Sequence, residues 1–433
     1  LVLFSKKEHK ALLFAKRSKN SHPKCAERLE QTVPNFGLAA RDTSQAPQFR
    51  LTRLDLTDFR NYAALSWRPE ARIAVISGPN GSGKTNLLEA ISLLGPGRGL
   101  RQARASEFPR LRPDGETSWA VAARVHTPDL AEPLMIGTGG APETGERRVV
   151  RLDGASVSQT ELAGHIAISW ITPQMDRLFG EAPSGRRRFL DRLVWALDPN
   201  HAREVAAHDA AMSRRRRLLA EGQAEPGWLA GLEDGMARHA VAATAGRRAL
   251  VGRLNALLAA GVVSPFPAAR LSLLCPIGDR LDQAPALAVE DWLRAALAAA
   301  RATDAAAGSA ALGAHRADFG LADLASGRPA SLASTGQQKA LLLGLVLGHA
   351  MVIGEQRGFA PWLLLDEPMV HLDEGHRAAL LEALLRLPAQ VFLTGVDAAP
   401  FESLRGRADF ILCMAAGLTK NPGFARPPAQ ESL

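Results

Sequence analysis

Gly78-Pro79-Asn80-Gly81-Ser82-Gly83-Lys84-Thr85 fits the pattern G-x-x-x-x-G-K-[ST], a set of residue types suited to holding a polyphosphate. Glycines let backbone amides turn toward phosphate oxygens, and a following helix start adds the positive end of its dipole. Lys84 then reaches the β and γ phosphates, and the Thr85 hydroxyl is a ligand for Mg²⁺. Some 280 residues later, Trp362-Leu363-Leu364-Leu365-Asp366-Glu367-Pro368 is an apolar run ending in two carboxylates. Asp366 suits Mg²⁺, directly or through water, and Glu367 suits the general base that polarises an attacking water. Alone, the first motif says only that a nucleotide is bound, its plain alternative being a glycine-rich turn before Lys-Thr, whereas the second alone reads as an acidic helix start. Together they predict ATP and Mg²⁺ as cofactors, with Lys84, Asp366 and Glu367 as catalytic residues.

The elements around these motifs must bring them together. A short apolar run over Arg72–Ser77 enters the glycine loop, and Leu87, Leu88, Ile91 and Leu94 leave it at helical spacing, so the order is strand, loop, helix. Alternation marks further strands near Leu54–Leu56, at Trp119–Val125, at Arg148–Leu152 before an Asp153-Gly154 turn, and at Ile166–Ile171. From about Pro183 to Ala311 strand signals almost vanish, and Ala, Leu and Arg fill the windows Pro199–Ala220, Gly227–Ala260 and Val289–Ala306. Gly and Pro interrupt these windows, which predicts a compact helical arm rather than a long coiled coil. Strands return at Pro361–Leu365, Gln390–Thr394 and Asp409–Met414 with helical runs between them, the rhythm of a parallel sheet. The expected fold class is α/β, split by a helical insertion. The boundaries read as a basic extension over residues 1–50, an N-terminal head part over 51–185, an arm over 186–310 and a C-terminal head part over 311–433.

A third motif narrows the class. Ser334-Thr335-Gly336-Gln337 precedes the apolar helix Ala340–Leu347 and resembles an ABC-type signature, and His371-Leu372-Asp373 resembles a D-loop with Asp373. A serine-and-glycine helix start offers amides and a hydroxyl to phosphate, although an ordinary N-cap would look the same in isolation. In ABC ATPases the signature of one copy closes on the P-loop of another, so the resemblance implies a dimer with two composite sites.

From about Leu51 to Gly417 the chain resembles the RecF family, which is related to SMC-type ATPases. Besides the ATPase motifs, the resemblance rests on Leu56–Tyr62, Leu94–Arg101, Ile171–Pro173, Gly185–Asp191, Ala314–Phe319 and Ser334–Leu342, in that order. It implies a P-loop ABC-type ATPase head with an inserted helical arm and a weak, DNA-stimulated ATPase used as a conformational switch. It also implies ATP-dependent homodimerisation on gapped or duplex DNA, and help in loading RecA together with RecO and RecR. Three positions depart from the pattern. Val370 stands where a D-loop serine is usual, Thr394 or Asp397 must serve where a switch histidine is usual, and Gln174 is the nearest Q-loop candidate for a metal or water contact.

Charge adds candidate DNA contacts. The net charge is +8, but residues 1–50 hold ten Lys and Arg against four Asp and Glu, leaving +2 for the rest. From 186 to 253 there are thirteen Arg against eight acids. Arg186, Arg187, Arg188, Arg214 and Arg215 in the arm, with Arg98, Arg101 and Arg104 after the P-loop helix, are the candidates; a solvated or internally paired helix face is the plain alternative. Phe, Trp and Tyr make up only 5% of the chain, which argues for backbone and shape recognition of duplex rather than base stacking. Three scattered cysteines suit a reducing compartment, and the apolar stretch Ala340–Gly354 is short for a bilayer span, so a cytoplasmic protein without a membrane is expected. A transporter ATPase subunit is disfavoured by the gap of about 250 residues between Thr85 and Ser334, and a long-armed SMC protein by the absence of extended heptads. A DNA-binding scaffold with a degenerate ATPase is separated only by measuring turnover.

Overall fold

The computed structural model describes residues 49–111, 118–127, 130–140, 148–222, 225–414 and 417–420. The basic extension lies outside the described residues except for its end. Phe49 is buried against Phe359 and Trp362, and Arg50 already begins the first strand, so the head starts slightly earlier than its motifs imply.

Residues alternating along β1 (Arg50–Phe59), β2 (Tyr62–Trp67), β4 (Trp119–His126), β5 (Leu134–Gly140), β6 (Val149–Leu152) and β7 (Ala155–Ser156) make an antiparallel sheet in the order β2-β1-β4-β5-β6-β7. Its β5, Leu-Met-Ile-Gly-Thr-Gly-Gly, was not legible in advance because three glycines in seven residues mask the alternation. The second sheet runs β14-β13-β3-β12-β11-β8, built from β3 (Ile73–Ser77), β8 (Ile168–Ile171), β11 (Trp362–Leu365), β12 (Val391–Gly395), β13 (Ala408–Met414) and β14 (Gly417–Lys420). All its pairings are parallel except the β13–β14 edge. Being covered on both faces, β3, β8 and β11 are buried at every residue. On one face Ala74, Ile76 and Leu364 pack with the antiparallel sheet and with α1 (Lys84–Leu93). On the other, Ile73, Val75 and Leu363 pack with α3 (Pro183–Trp195), α9 (Thr335–Arg357) and α10 (Glu374–Arg386). The short α2 (Gln159–His165) leads into β8.

The arm consists of α4 (His201–Glu221), α5 (Pro226–Ala259), α6 (Pro276–Leu281), α7 (Ala286–Ala299) and α8 (Arg301–Ala307); the window read as one helix breaks at Ala300. It also contains β9 (Ala269–Leu274), which pairs with β10 (Asp318–Asp323) in a two-stranded sheet. The segment is therefore not purely helical, and its packing does not divide at residues 186 and 310. Met236, Ala240 and Val241 of α5 belong to the arm core, whereas Leu250, Leu254, Leu257 and Leu258 of the same helix belong to the head core. A helix of 34 residues, roughly 50 Å long, thus roots the arm in the head. Helix α9 is also longer than its apolar centre suggests: at 23 residues it has the length of a membrane span, but 78% of its most apolar 18 residues are buried inside this fold.

Candidate functional site

β3 ends at Ser77, and three glycines in the left-handed half of backbone space carry the chain round to α1: Gly78 at φ 150°, Gly81 at 78° and Gly83 at 110°. At two of them space as well as conformation demands glycine. A Cβ on Gly78 would lie 2.3 Å from the Cys413 carbonyl oxygen, and one on Gly83 would lie 2.5 Å from Asn61 Nδ2. The neighbours that crowd the loop also brace it. Asn61 Nδ2 and Cys413 Sγ donate to the Ser82 carbonyl at 3.3 and 3.5 Å, and the Tyr62 hydroxyl donates to the Gly83 carbonyl at 3.2 Å. Burial beside Cys413 pushes the Tyr62 pKa far up, which keeps that donor protonated. The Gly78 amide donates to the Val396 carbonyl at 3.1 Å and the Ser82 amide to the Pro79 carbonyl at 3.2 Å, so it is the loop's other amides that stay available to a ligand. Lys84 is buried, and its ammonium donates to the carbonyls of Gly78 at 2.7 Å and Pro79 at 2.9 Å. Ser82 Oγ is buried without a hydrogen-bond partner among the described residues. A donor held on weak carbonyl acceptors and an orphaned hydroxyl are what a phosphate would satisfy.

β12 lies between β3 and β11; β12 and β3 end together, Gly395 opposite Ser77, and β11 ends two residues earlier, Leu365 opposite Leu393. Asp366 and Glu367 follow that end. Glu367 is left-handed at φ 48° and lies beyond β11, so the alternation of strand faces does not decide where its carboxylate points. The Thr85 hydroxyl lies 3.1 Å from both Asp366 oxygens, which brings together residues 281 apart in the chain. Oxygens at that separation match one edge of an octahedron with ligand distances of about 2.1 Å, so Thr85 and Asp366 fit Mg²⁺. Thr394 Oγ1, at the end of β12, donates to Asp366 Oδ1 at 2.7 Å and accepts from the Glu367 amide at 2.9 Å. The threonine thus joins the two acidic residues; Asp397 is exposed.

The Ser334 segment is an exposed helix start. Ser334 Oγ accepts from the Gln337 amide, and Gln337 Oε1 accepts from the Ser334 amide at 3.1 Å, a capping box. The N-cap reading and the signature reading are thus compatible, since the box leaves the hydroxyl proton and the amides of Thr335 and Gly336 outside the intrahelical ladder. No hydrogen bond joins this turn to residues 78–85 of its own chain among the described residues. Asp373 is the N-cap of α10, accepting from the His376 amide and ring, and these bonds hold its carboxyl below the ordinary range. Gln174 is exposed on the turn after β8.

Two residues that the sequence did not single out, Lys339 and Asp176, sit between these pieces. Lys339, on the first turns of α9, is 1% exposed and donates to Asp176 Oδ2 at 3.3 Å and to the Glu367 carbonyl at 3.1 Å. Burial pulls its pKa down against the opposing pull of Asp176. One signal was available: past residue 50 the chain keeps lysine only at 84, 339 and 420 and otherwise uses arginine.

The arginine candidates divide. Arg215 is fully buried, donating to Glu233, Asp304 and the Leu297 carbonyl, so its charge is compensated inside the arm and it does not face solvent. Arg186 pairs bidentately with Asp318, Arg187 donates to the Ala317 carbonyl, and Arg101 pairs with Glu89, which also holds Arg60. Arg98, Arg104, Arg188 and Arg214, with Arg216 and Arg217, are exposed.

Residues 50–407 match the family model described as RecF/RecN/SMC N terminal domain. The chain is 43% identical over 376 residues to the DNA replication and repair protein RecF of Rhizobium rhizogenes, an alignment spanning 86% of this chain and 98% of that protein. It is 46% identical over 367 residues to RecF of Mesorhizobium japonicum, spanning 84% of this chain and 96% of that one. Among solved structures, the recombination mediator protein RecF-ATPrS of the RecFOR pathway superposes with a TM-score of 0.75 over 88% of this chain and 100% of that one, at 23% identity.

Proposed function

The chain belongs to the RecF family, and from that premise we propose that it binds ATP with Mg²⁺, closes as a homodimer on gapped or duplex DNA, and serves recombinational repair and replication together with RecO, RecR and RecA. Its relatives are named as DNA replication and repair proteins, and a solved neighbour is the recombination mediator protein RecF-ATP of the RecFOR pathway. The observation that carries the reading is the Ser334 turn, an exposed helix start that makes no hydrogen bond to residues 78–85 of its own chain among the described residues. Such an end is available to the nucleotide of a second copy.

In this reading the loop amides and Lys84 hold the triphosphate, with the ammonium exchanging the Gly78 and Pro79 carbonyls for phosphate oxygens. Thr85 and Asp366 would hold Mg²⁺, which would supply neutralisation of the phosphate charge. Glu367 takes a proton from the attacking water as its oxygen bonds to the γ-phosphorus and the bond to the β–γ bridging oxygen breaks, giving ADP and phosphate. Thr394 keeps Asp366 and Glu367 in register through its single hydroxyl. Hydrolysis resets the dimer and leaves the DNA unchanged.

Two substitutions test this. Lys84→Met is expected to lose ATP binding and the ATP-induced dimer. Glu367→Gln is expected to keep the dimer while turnover falls by about a hundredfold or more. An ATP-dependent dimer of the Lys84 variant, measured by light scattering, would contradict the reading.

A further inference from the structure

The first turns of α9 do more than present Ser334; they are fastened to the backbone that follows Asp366. Gly336 lies so near that segment that a Cβ there would be 2.6 Å from the His371 carbonyl oxygen. One turn further on, the Lys339 ammonium holds the Glu367 carbonyl at 3.1 Å. Between these two contacts the chain is left-handed twice at non-glycine residues, Glu367 at φ 48° and His371 at φ 65°. That conformation is unfavourable for side chains with a Cβ and persists only where surrounding contacts impose it. Asp176 completes the pocket, with Oδ2 3.3 Å from Lys339 and 3.4 Å from His371 Nδ1, while its Oδ1 is buried without a partner among the described residues. A lysine 1% exposed, given one carboxylate oxygen and one carbonyl, is costly to bury for stability alone, since a buried ion pair seldom gains over an apolar isostere.

We infer that Lys339 is a positioning residue for hydrolysis: by holding the Glu367 carbonyl it aims the Glu367 carboxylate, and it makes that aim depend on how Ser334 of the same copy is seated. The inference rests on the proposed reading in which Ser334 meets the nucleotide of the other copy. Under it, each copy carries one rigid piece, α9 with residues 367–371, whose front face senses one nucleotide and whose flank sets the base for the other. Hydrolysis at one composite site then responds to the engagement of its sister site. A displacement of the base by about 1 Å is enough to cost a large factor in rate, so a single carbonyl contact is an adequate lever.

The test uses the full chain in three forms, Lys339→Met, Lys339→Arg and the double variant Lys339→Met with Asp176→Asn, measuring thermal unfolding, ATP-induced dimerisation and steady-state hydrolysis. Lys339→Met is expected to retain the dimer and a KM within about threefold of the wild type, with kcat lowered by about tenfold or more. Arginine, which can still reach a carbonyl, is expected to recover part of that kcat. Removing only the lysine strands the Asp176 charge, so the single methionine variant melts early, and the double variant recovers its melting temperature because neither charge remains. Here the alternatives separate: positioning predicts that kcat stays low in the double variant, whereas a purely structural pair predicts that kcat returns with stability. Return of kcat in the double variant, or an unchanged kcat in Lys339→Met, overturns the inference. Failure of the wild type to dimerise with ATP would instead overturn the underlying reading, and the light-scattering arm detects that independently of kcat.

Discussion

Thr394 shows how much one hydroxyl can organise. Its oxygen donates to Asp366 and accepts from the Glu367 amide, so Thr394→Val keeps the shape of the side chain but leaves a buried carboxylate and an amide each short of a partner. Hydrolysis by the valine variant is expected to fall by about tenfold with nucleotide affinity held within a few-fold, because the phosphate cradle does not involve β12; loss of affinity in proportion to rate would argue against this placement. The sequence pointed to Thr394 only as the nearest residue to a position usually held by histidine, since strand register alone decides what stands beside Asp366. His349 carries a different test. Fully buried, bonded to Ser169 Oγ at 3.2 Å and donating to the Leu193 carbonyl at 2.9 Å, it is pulled down to about 4 by burial. In the unfolded chain its pKa is about 6.5, so between those values only the unfolded state takes up the proton. Stability is therefore full above pH 6.5 and declines toward pH 4, by at most about 3 kcal/mol for this group. Denaturant titrations of the wild type should show that slope, and His349→Gln, which keeps a donor for Leu193, should flatten it; equal slopes would exclude His349 as the source.

At the level of elements, the motifs were legible because each depends on local chemistry. A glycine loop flanked by a strand and a helix needs only its own residues, and β3, β11 and β12 lie within a residue or two of where apolar runs place them. What stayed hidden depends on partners far along the chain. β9 alternates over only six residues, in a region otherwise dominated by Ala and Leu, and is a strand because β10 pairs with it from some 45 residues away. Asn255 then closes its free edge, its side-chain amide exchanging both hydrogen bonds with Leu271 as a neighbouring strand would. Arginine composition misled in the same way. Arg72 spends its charge on the carbonyls that end α10, Arg148 on those that end α1, and Arg215 on two acids inside the arm. Helix ends attract cations, so a row of arginines in sequence need not be a row on the surface. The arm offers a direct comparison. Arg215→Met leaves Glu233 with Arg301 alone and Asp304 without its guanidinium, and is expected to cost about 3 kcal/mol or more. Joint replacement of Arg214, Arg216 and Arg217 by Ala should leave the melting temperature nearly unchanged while lowering duplex affinity. It should also reduce the slope of log affinity against log salt by up to about 3, at roughly 0.9 for each phosphate that is no longer neutralised. An unaltered slope would remove this face from the DNA-binding surface.

For the whole molecule, two layouts fit together. The parallel sheet gathers Lys84, Thr85, Asp366, Glu367 and Thr394 at one end of its strands, and α9 sets Ser334 apart from them on an exposed turn. On the proposed reading, a single copy holds a nucleotide cradle and a helix end that serve different nucleotides. Because α5 is rooted in the head core, the proposed closing of two heads would carry the two arms with it. In that proposal nucleotide state is tied to the DNA surface without any contact between ATP and DNA. Mass of the particle in solution, measured for the wild-type chain with ADP, with ATP and with ATP plus gapped duplex, tests that design most directly. Monomers in ADP, dimers in ATP and a larger share of dimers at lower protein concentration once DNA is added are the predicted results. The same mass in all three conditions would contradict the composite site and with it the proposed use of ATP.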